Sequence, residues 1–63
     1  MSMEFELYTN EQILEMEDED LLNEIKKMKK VIYRIRKQGA DTREAEEEIS
    51  YLQAEAQNRG FRA

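Results

Sequence analysis

The chain has 63 residues, 15 acidic and 10 basic, for a net charge of −5, and it contains no cysteine, histidine or proline. Lacking Cys and His, it has no disulfide, no soft-metal site and no imidazole to activate a nucleophile. No stretch approaches the ~20 apolar residues of a membrane span, and a single small domain with this much charge and no proline has the composition of long helices.

Residues 3–8 alternate, with Met3, Phe5 and Leu7 set against Glu4, Glu6 and Tyr8. That period of two predicts a short extended segment. Thr9 and Gln12 have capping-box spacing, which predicts a short helix over residues 10–16 with Ile13, Leu14 and Met16 turned toward apolar surface. Asp18 is a second candidate cap, so the helix either continues from Asn10 or restarts near Asp18. Leu21, Ile25, Met28, Ile32 and Ile35 then recur at alternating spacings of four and three, a heptad seam that Val31 widens. Lys37 and Gln38 before Gly39 suit a helix C-terminus. Asp41 and Glu44 repeat the capping-box spacing, with Asp41 as the cap. Ala45, Ile49, Leu52 and Ala56 make the second stripe; Gly60 ends it and Phe61 falls back toward Ala56.

The fold class expected is all-α: an antiparallel, coiled-coil-like two-helix hairpin. Residues 18–38 and 42–59 form its helices, 39–41 its turn, and 1–17 an extended or helical N-terminal arm. The register pairs Ile35 with Ala45, Ile32 with Ile49, Met28 with Leu52, and Ile25 with Ala56.

Charge comes in three blocks. Residues 1–25 hold nine acids and no bases, 26–43 eight bases and one acid, and 44–63 five acids and two bases. Within each arm like charges repel at i, i+4, as for Lys30 with Arg34 and Glu44 with Glu48. Across the hairpin they attract, with Lys37 near Glu44 and Arg34 near Glu46 or Glu47. The basic run thus reads as a solvated flank neutralised by the second arm. The alternative is a nucleic-acid or anionic-lipid stripe made of Lys26, Lys27, Lys29, Lys30, Arg34 and Lys37, which the net negative charge opposes at long range. The cluster Glu15, Glu17, Asp18, Glu19 and Asp20 lacks the ligand spacing and mid-loop glycine of a calcium loop and suits a solvated helix N-terminus. A further alternative is that the acidic block 1–25 mimics nucleic acid and inhibits a basic host protein. Ser2 and Ser50 stand isolated and no glycine loop cradles phosphate, so neither an enzyme nor a cofactor is expected.

Leu22, Tyr33 and Tyr51 lie roughly 100° from the seam. With Phe5, Leu7, Tyr8, Ile13 and Leu14 they are the candidates for a partner or oligomer surface. Chains of this size usually need a staple; without disulfide or metal, a second copy or a host protein supplies it. The reading is a soluble, cytoplasmic, non-enzymatic protein–protein interaction module: a self-associating hairpin, dimeric by preference as a four-helix bundle, acting as adaptor, regulator or inhibitor. It has no membrane association, and its acidic N-terminus lacks the pattern of a signal peptide.

The stretch EDEDLLNEIKKMKK, a capped entry into a long helix followed by a second arm, resembles the two-helix protein of the bacterial large ribosomal subunit. The likeness implies a helical hairpin that touches RNA through an Arg-rich second arm, and the second arm here, REAEEEISYLQAEAQNR, departs at those residues. Length and hairpin form also resemble the Rop-type plasmid regulators, which implies pairing of hairpins into a four-helix bundle. Neither resemblance carries a functional residue over.

Overall fold

Thr9 opens the first helix with a complete capping box: its hydroxyl oxygen accepts from the Gln12 N–H at 3.1 Å, and the Gln12 side chain accepts from the Thr9 N–H at 2.9 Å. The computed structural model describes residues 7–61, so Phe5 and most of the alternating segment lie outside the described residues. The first helix, α1, spans Asn10–Glu15. Met16 and Glu17 then take extended backbone, with ψ of 139° and 156°. The helix therefore restarts, and α2 spans Asp18–Lys37. Asp18 is not the cap. Glu17 occupies that position without a side-chain bond, and Asp18 contributes an acid to the first turn, where the helix dipole favours it.

The end of α2 follows from Gly39. Its φ of +76° is the left-handed conformation that glycine adopts without strain. The Gly39 N–H donates to the Arg36 carbonyl at 3.0 Å and the Ala40 N–H to the Ile35 carbonyl at 3.2 Å, the two bonds of a Schellman motif. Helix α3, Arg43–Asn58, ends the same way. Gly60 has φ of +92°, and the Phe61 N–H donates to the Ala56 carbonyl at 2.9 Å, which returns Phe61 to the core as its spacing predicted. The start of α3 differs from expectation. Thr42 holds the cap position, and Asp41 accepts from the Arg43 backbone N–H at 2.9 Å and from its guanidinium at 3.1 Å. No box with Glu44 forms; those two bonds hold the Asp41 carboxyl below its ordinary range.

A Cβ added at Gly39 meets nothing within 4 Å, so a substitution there is strained only by its positive φ. Gly39→Ala is expected to cost about 1 kcal/mol in urea unfolding, the penalty for one left-handed alanine. A larger loss means that the Ala replacement breaks the Schellman bonds.

Helices α2 and α3 pack together as a hairpin and α1 packs on α3. The molecule measures 34 × 22 × 16 Å, so its long axis is little more than the ~30 Å length of α2 itself. The core is Leu21, Ile25 and Met28 of α2, Ala45, Leu52 and Ala56 of α3, and Ile13 of α1. Leu21, Met28 and Leu52 are fully buried, each worth ~1.5–3 kcal/mol relative to exposure. The seam is rotated from the expected one. Val31 is buried while Ile32, Ile35 and Ile49 are half-buried, and on α3 Glu48 is buried in the stripe instead of Ile49. On α3 the shift goes with the third layer: Tyr8, Ile13 and Met16 pack with the core and the Tyr8 N–H donates to Glu48, whereas Val31 of α2 is buried outside that cluster.

Candidate interaction surfaces

The candidate contact residues do not form one face. Ile13 is a core residue and Leu22 and Tyr8 pack partly buried against the core. Within the chain these three pack internally, Ile13 and Tyr8 because the segment around α1 folds back onto the hairpin. Leu7 is exposed. Leu14 and Tyr51, 63% and 56% exposed, come together from α1 and α3 and share an open groove of about 310 Å³ with Asn10, Ala54 and Asn58. Tyr33, 61% exposed, lies elsewhere, on the outer side of α2.

Around Tyr33 the basic candidates are gathered. Lys29, Lys30, Arg34 and Lys37 line one groove of about 640 Å³ with Tyr33. Lys26, Lys27, Lys30 and Arg34 line an adjoining one of about 400 Å³. The Lys37 ammonium sits over the Tyr33 ring, 5.2 Å from its centre, within cation–π range, rather than on Glu44. Across the turn the ion pair is Arg36 with Glu46 at 3.0 Å. Among the described residues Lys26, Lys27, Lys29 and Lys30 form no ion pair. The neutralisation expected from the acidic second arm does not reach these four lysines.

Two residues organise the flank where α1 meets α3, and the sequence reading gave neither a role there. Arg59, just past α3, is only 17% exposed. Its guanidinium donates to the carbonyls of Met16 at 2.6 Å, Leu14 at 3.1 Å and Ile13 at 3.2 Å, to Asp18 at 3.0 Å and to Glu55 at 2.8 Å. The Glu55 and Asp18 carboxylates raise its pKa further. The acidic cluster at the start of α2 therefore gives Asp18 to a structural ion pair, and among the described residues no group of three or more Asp or Glu is placed to hold a metal. Glu48 is 3% exposed. One carboxylate oxygen accepts from the Tyr8 N–H at 3.2 Å, and the other has no partner. Burial pushes its pKa up and Glu24 of α2 adds to the rise; the Tyr8 N–H opposes both.

The signals for both were positional. Glu48 lies three residues after Ala45 and four before Leu52, the spacing of the seam itself, and Arg59 lies four after Glu55. Among the described residues no helix is long and apolar enough to cross a membrane. Comparison of the chain with known protein families, with curated proteins and with solved structures finds no match.

Proposed function

We propose that the chain is a small, non-enzymatic protein–protein interaction module: an antiparallel, coiled-coil-like hairpin that self-associates, as a dimer, and serves as adaptor, regulator or inhibitor. The observation that carries this reading is the Leu14–Tyr51 patch. The chain already has a core of its own, yet it leaves two large side chains from different helices lining one groove and more than half exposed. Scattered exposed apolar residues are ordinary, whereas a convergent pair beside a groove favours a contact. The antiparallel arrangement is supported by the ion pairs at the two ends: Arg36, late in α2, reaches Glu46, early in α3, and Arg59, after α3, reaches Asp18 at the start of α2.

Sedimentation equilibrium tests the reading. The expected result is a concentration-dependent dimer whose dissociation constant rises at least about tenfold in Tyr51→Glu, because a carboxylate in a desolvated contact has no partner. A folded monomer at every concentration overturns self-association.

A further inference from the structure

We infer that the joint between α1 and α2 is a two-state hinge, held bent by Arg59 and able to close into one continuous helix when Arg59 withdraws. The hinge stands on the geometry of the joint; its effect on assembly rests on the reading of the chain as self-associating. In a continuous α-helix each N–H donates to the carbonyl four residues earlier. The Ile13, Leu14 and Met16 carbonyls would then accept from the Glu17, Asp18 and Asp20 N–H groups. Those are the three carbonyls that the Arg59 guanidinium takes, at 3.2, 3.1 and 2.6 Å. They converge on one side chain, as carbonyls aligned along a single helix axis do not. Guanidinium and helix therefore compete for one set of acceptors.

Nothing local in the sequence forces the break. Met16 and Glu17 are both good helix formers, and no glycine or proline occurs from residue 9 to residue 38. Their extended backbone leaves Glu17 as a cap without a side-chain bond. The ladder of α2 starts with the Leu21 N–H, which donates to the Glu17 carbonyl at 2.9 Å. Closing the joint supplies partners for the N–H groups ahead of it, the orphans of a helix start. It also adds α1 to a helix that already exists, so no new nucleus is needed. Against closure stand the Arg59 bonds, the burial of Ile13 and the Tyr8 bond to Glu48. The bend is thus a tertiary choice. Closed, Asn10 to Lys37 is one helix of about 42 Å, against 34 Å for the longest dimension of the bent molecule. Thr9 and Ile13 then sit at its open end, where helices fray. Leu14 is carried away from Tyr51, and the groove they share is dismantled. The hinge therefore controls that surface, which exists only while Arg59 is engaged.

Double electron–electron resonance on the full chain reads the two states. The chain has no cysteine, so Glu11→Cys and Lys30→Cys place spin labels at exposed positions of α1 and α2. Dilution with unlabelled chain restricts the signal to distances within one molecule. In the closed state the labelled backbones are about 28 Å apart; in the bent state α1 folds back beside α3 and they are closer. With Arg59 in place the short distance is expected to dominate. Arg59→Ala is expected to raise the long population at least about tenfold. Adding Glu17→Pro abolishes it, because the proline ring clashes with the Ile13 carbonyl in a continuous helix. The bent state accepts that proline, since Glu17 has φ of −70° and follows an extended residue. Glu17→Ala in the same background removes the same charge and keeps the long population. Arg59→Lys, which retains the charge without the fork, is read the same way should the alanine variant lose its hairpin. A short distance unchanged without Arg59, a broad distribution with no long maximum, or a long maximum that survives Glu17→Pro overturns the hinge. A chain that dimerises in sedimentation but stays bent without Arg59 refutes the hinge and leaves the self-association reading standing; a monomer that straightens does the reverse.

Discussion

Replacing Arg59 by alanine is expected to lower the melting temperature by on the order of 10 °C and to release α1 from the hairpin, because one guanidinium supplies several charge-assisted bonds to a helix otherwise anchored mainly by the burial of Ile13. With six residues, α1 is far below the length at which an isolated helix persists. Of its last carbonyls, that of Ile13 accepts from the Met16 N–H at 3.3 Å, and helix ends leave the others without an intrahelical partner. Arg59 donates to Ile13, Leu14 and Met16, and it bridges to Asp18 and Glu55 as well. Alanine takes this donor from the Leu14 and Met16 carbonyls, while the Ile13 carbonyl keeps the Met16 N–H at 3.3 Å, and it removes the partner of Glu55, itself largely buried. Lysine does not restore the contact. A planar fork with five donors can face two carboxylates and three carbonyls at once, and a compact ammonium with three donors cannot.

Amide hydrogen exchange localises the effect. In Arg59→Ala the Ile13 N–H, bonded to the Thr9 carbonyl, is expected to lose protection, whereas the Gly39 and Ala40 N–H groups at the far end keep theirs. Because Leu14 and Tyr51 line one groove only when α1 is docked, the proposed self-association is expected to weaken as well. If the melting temperature and the Ile13 exchange rate stay at wild-type values, burial of Ile13 alone holds α1 in place.

The sequence carried the parts of this fold that depend on local chemistry. The Thr9–Gln12 box, the two glycines at positive φ and the return of Phe61 each follow from a few neighbouring residues, and all three are present. The heptads were sufficient to mark two long helices. They did not define which side of each helix is innermost, because that depends on the third layer. Ile13 and Tyr8 join the core that Ile32, Ile35 and Ile49 flank, while Val31 is buried outside that cluster. Charge was the less legible property. Opposite blocks in sequence suggested neutralisation across the hairpin, but reach and rotation decide which ions meet. Arg36 finds Glu46, while Lys26 and Lys30 point away from α3. Arg59 looked like one of two bases in an acidic block; its role depends on the chain returning to it from more than forty residues away.

Glu48 is the acid the seam pattern hides, and replacing it by glutamine is expected to stabilise the fold at neutral pH by about 1–2 kcal/mol. Glutamine keeps an acceptor for the Tyr8 N–H and removes a charge that is buried with one oxygen unpartnered and with Glu24 repelling it. The pH dependence distinguishes charge from packing. The folded-state pKa of Glu48 lies above its ordinary value of 4.5. Between those two values the native chain binds more protons than the unfolded one, so stability falls as pH rises through the interval. Above the folded pKa the cost of the buried charge is present in full, and below the ordinary value it is absent. Urea unfolding of the wild type and Glu48→Gln is therefore expected to show a gap near pH 7 that closes toward about pH 4. A gap of equal size at both pH values assigns the effect to packing. No gap at all means the Tyr8 N–H already compensates the charge. Glu48→Ala separates the carboxyl's two roles: it also discharges the site, but it takes away the acceptor, so the Tyr8 amide is expected to exchange faster than in Glu48→Gln. Tyr8 reaches α3 through that bond and packs against the core beside it, and retention of the bond in the glutamine variant is expected to show that this contact needs an acceptor rather than a charge.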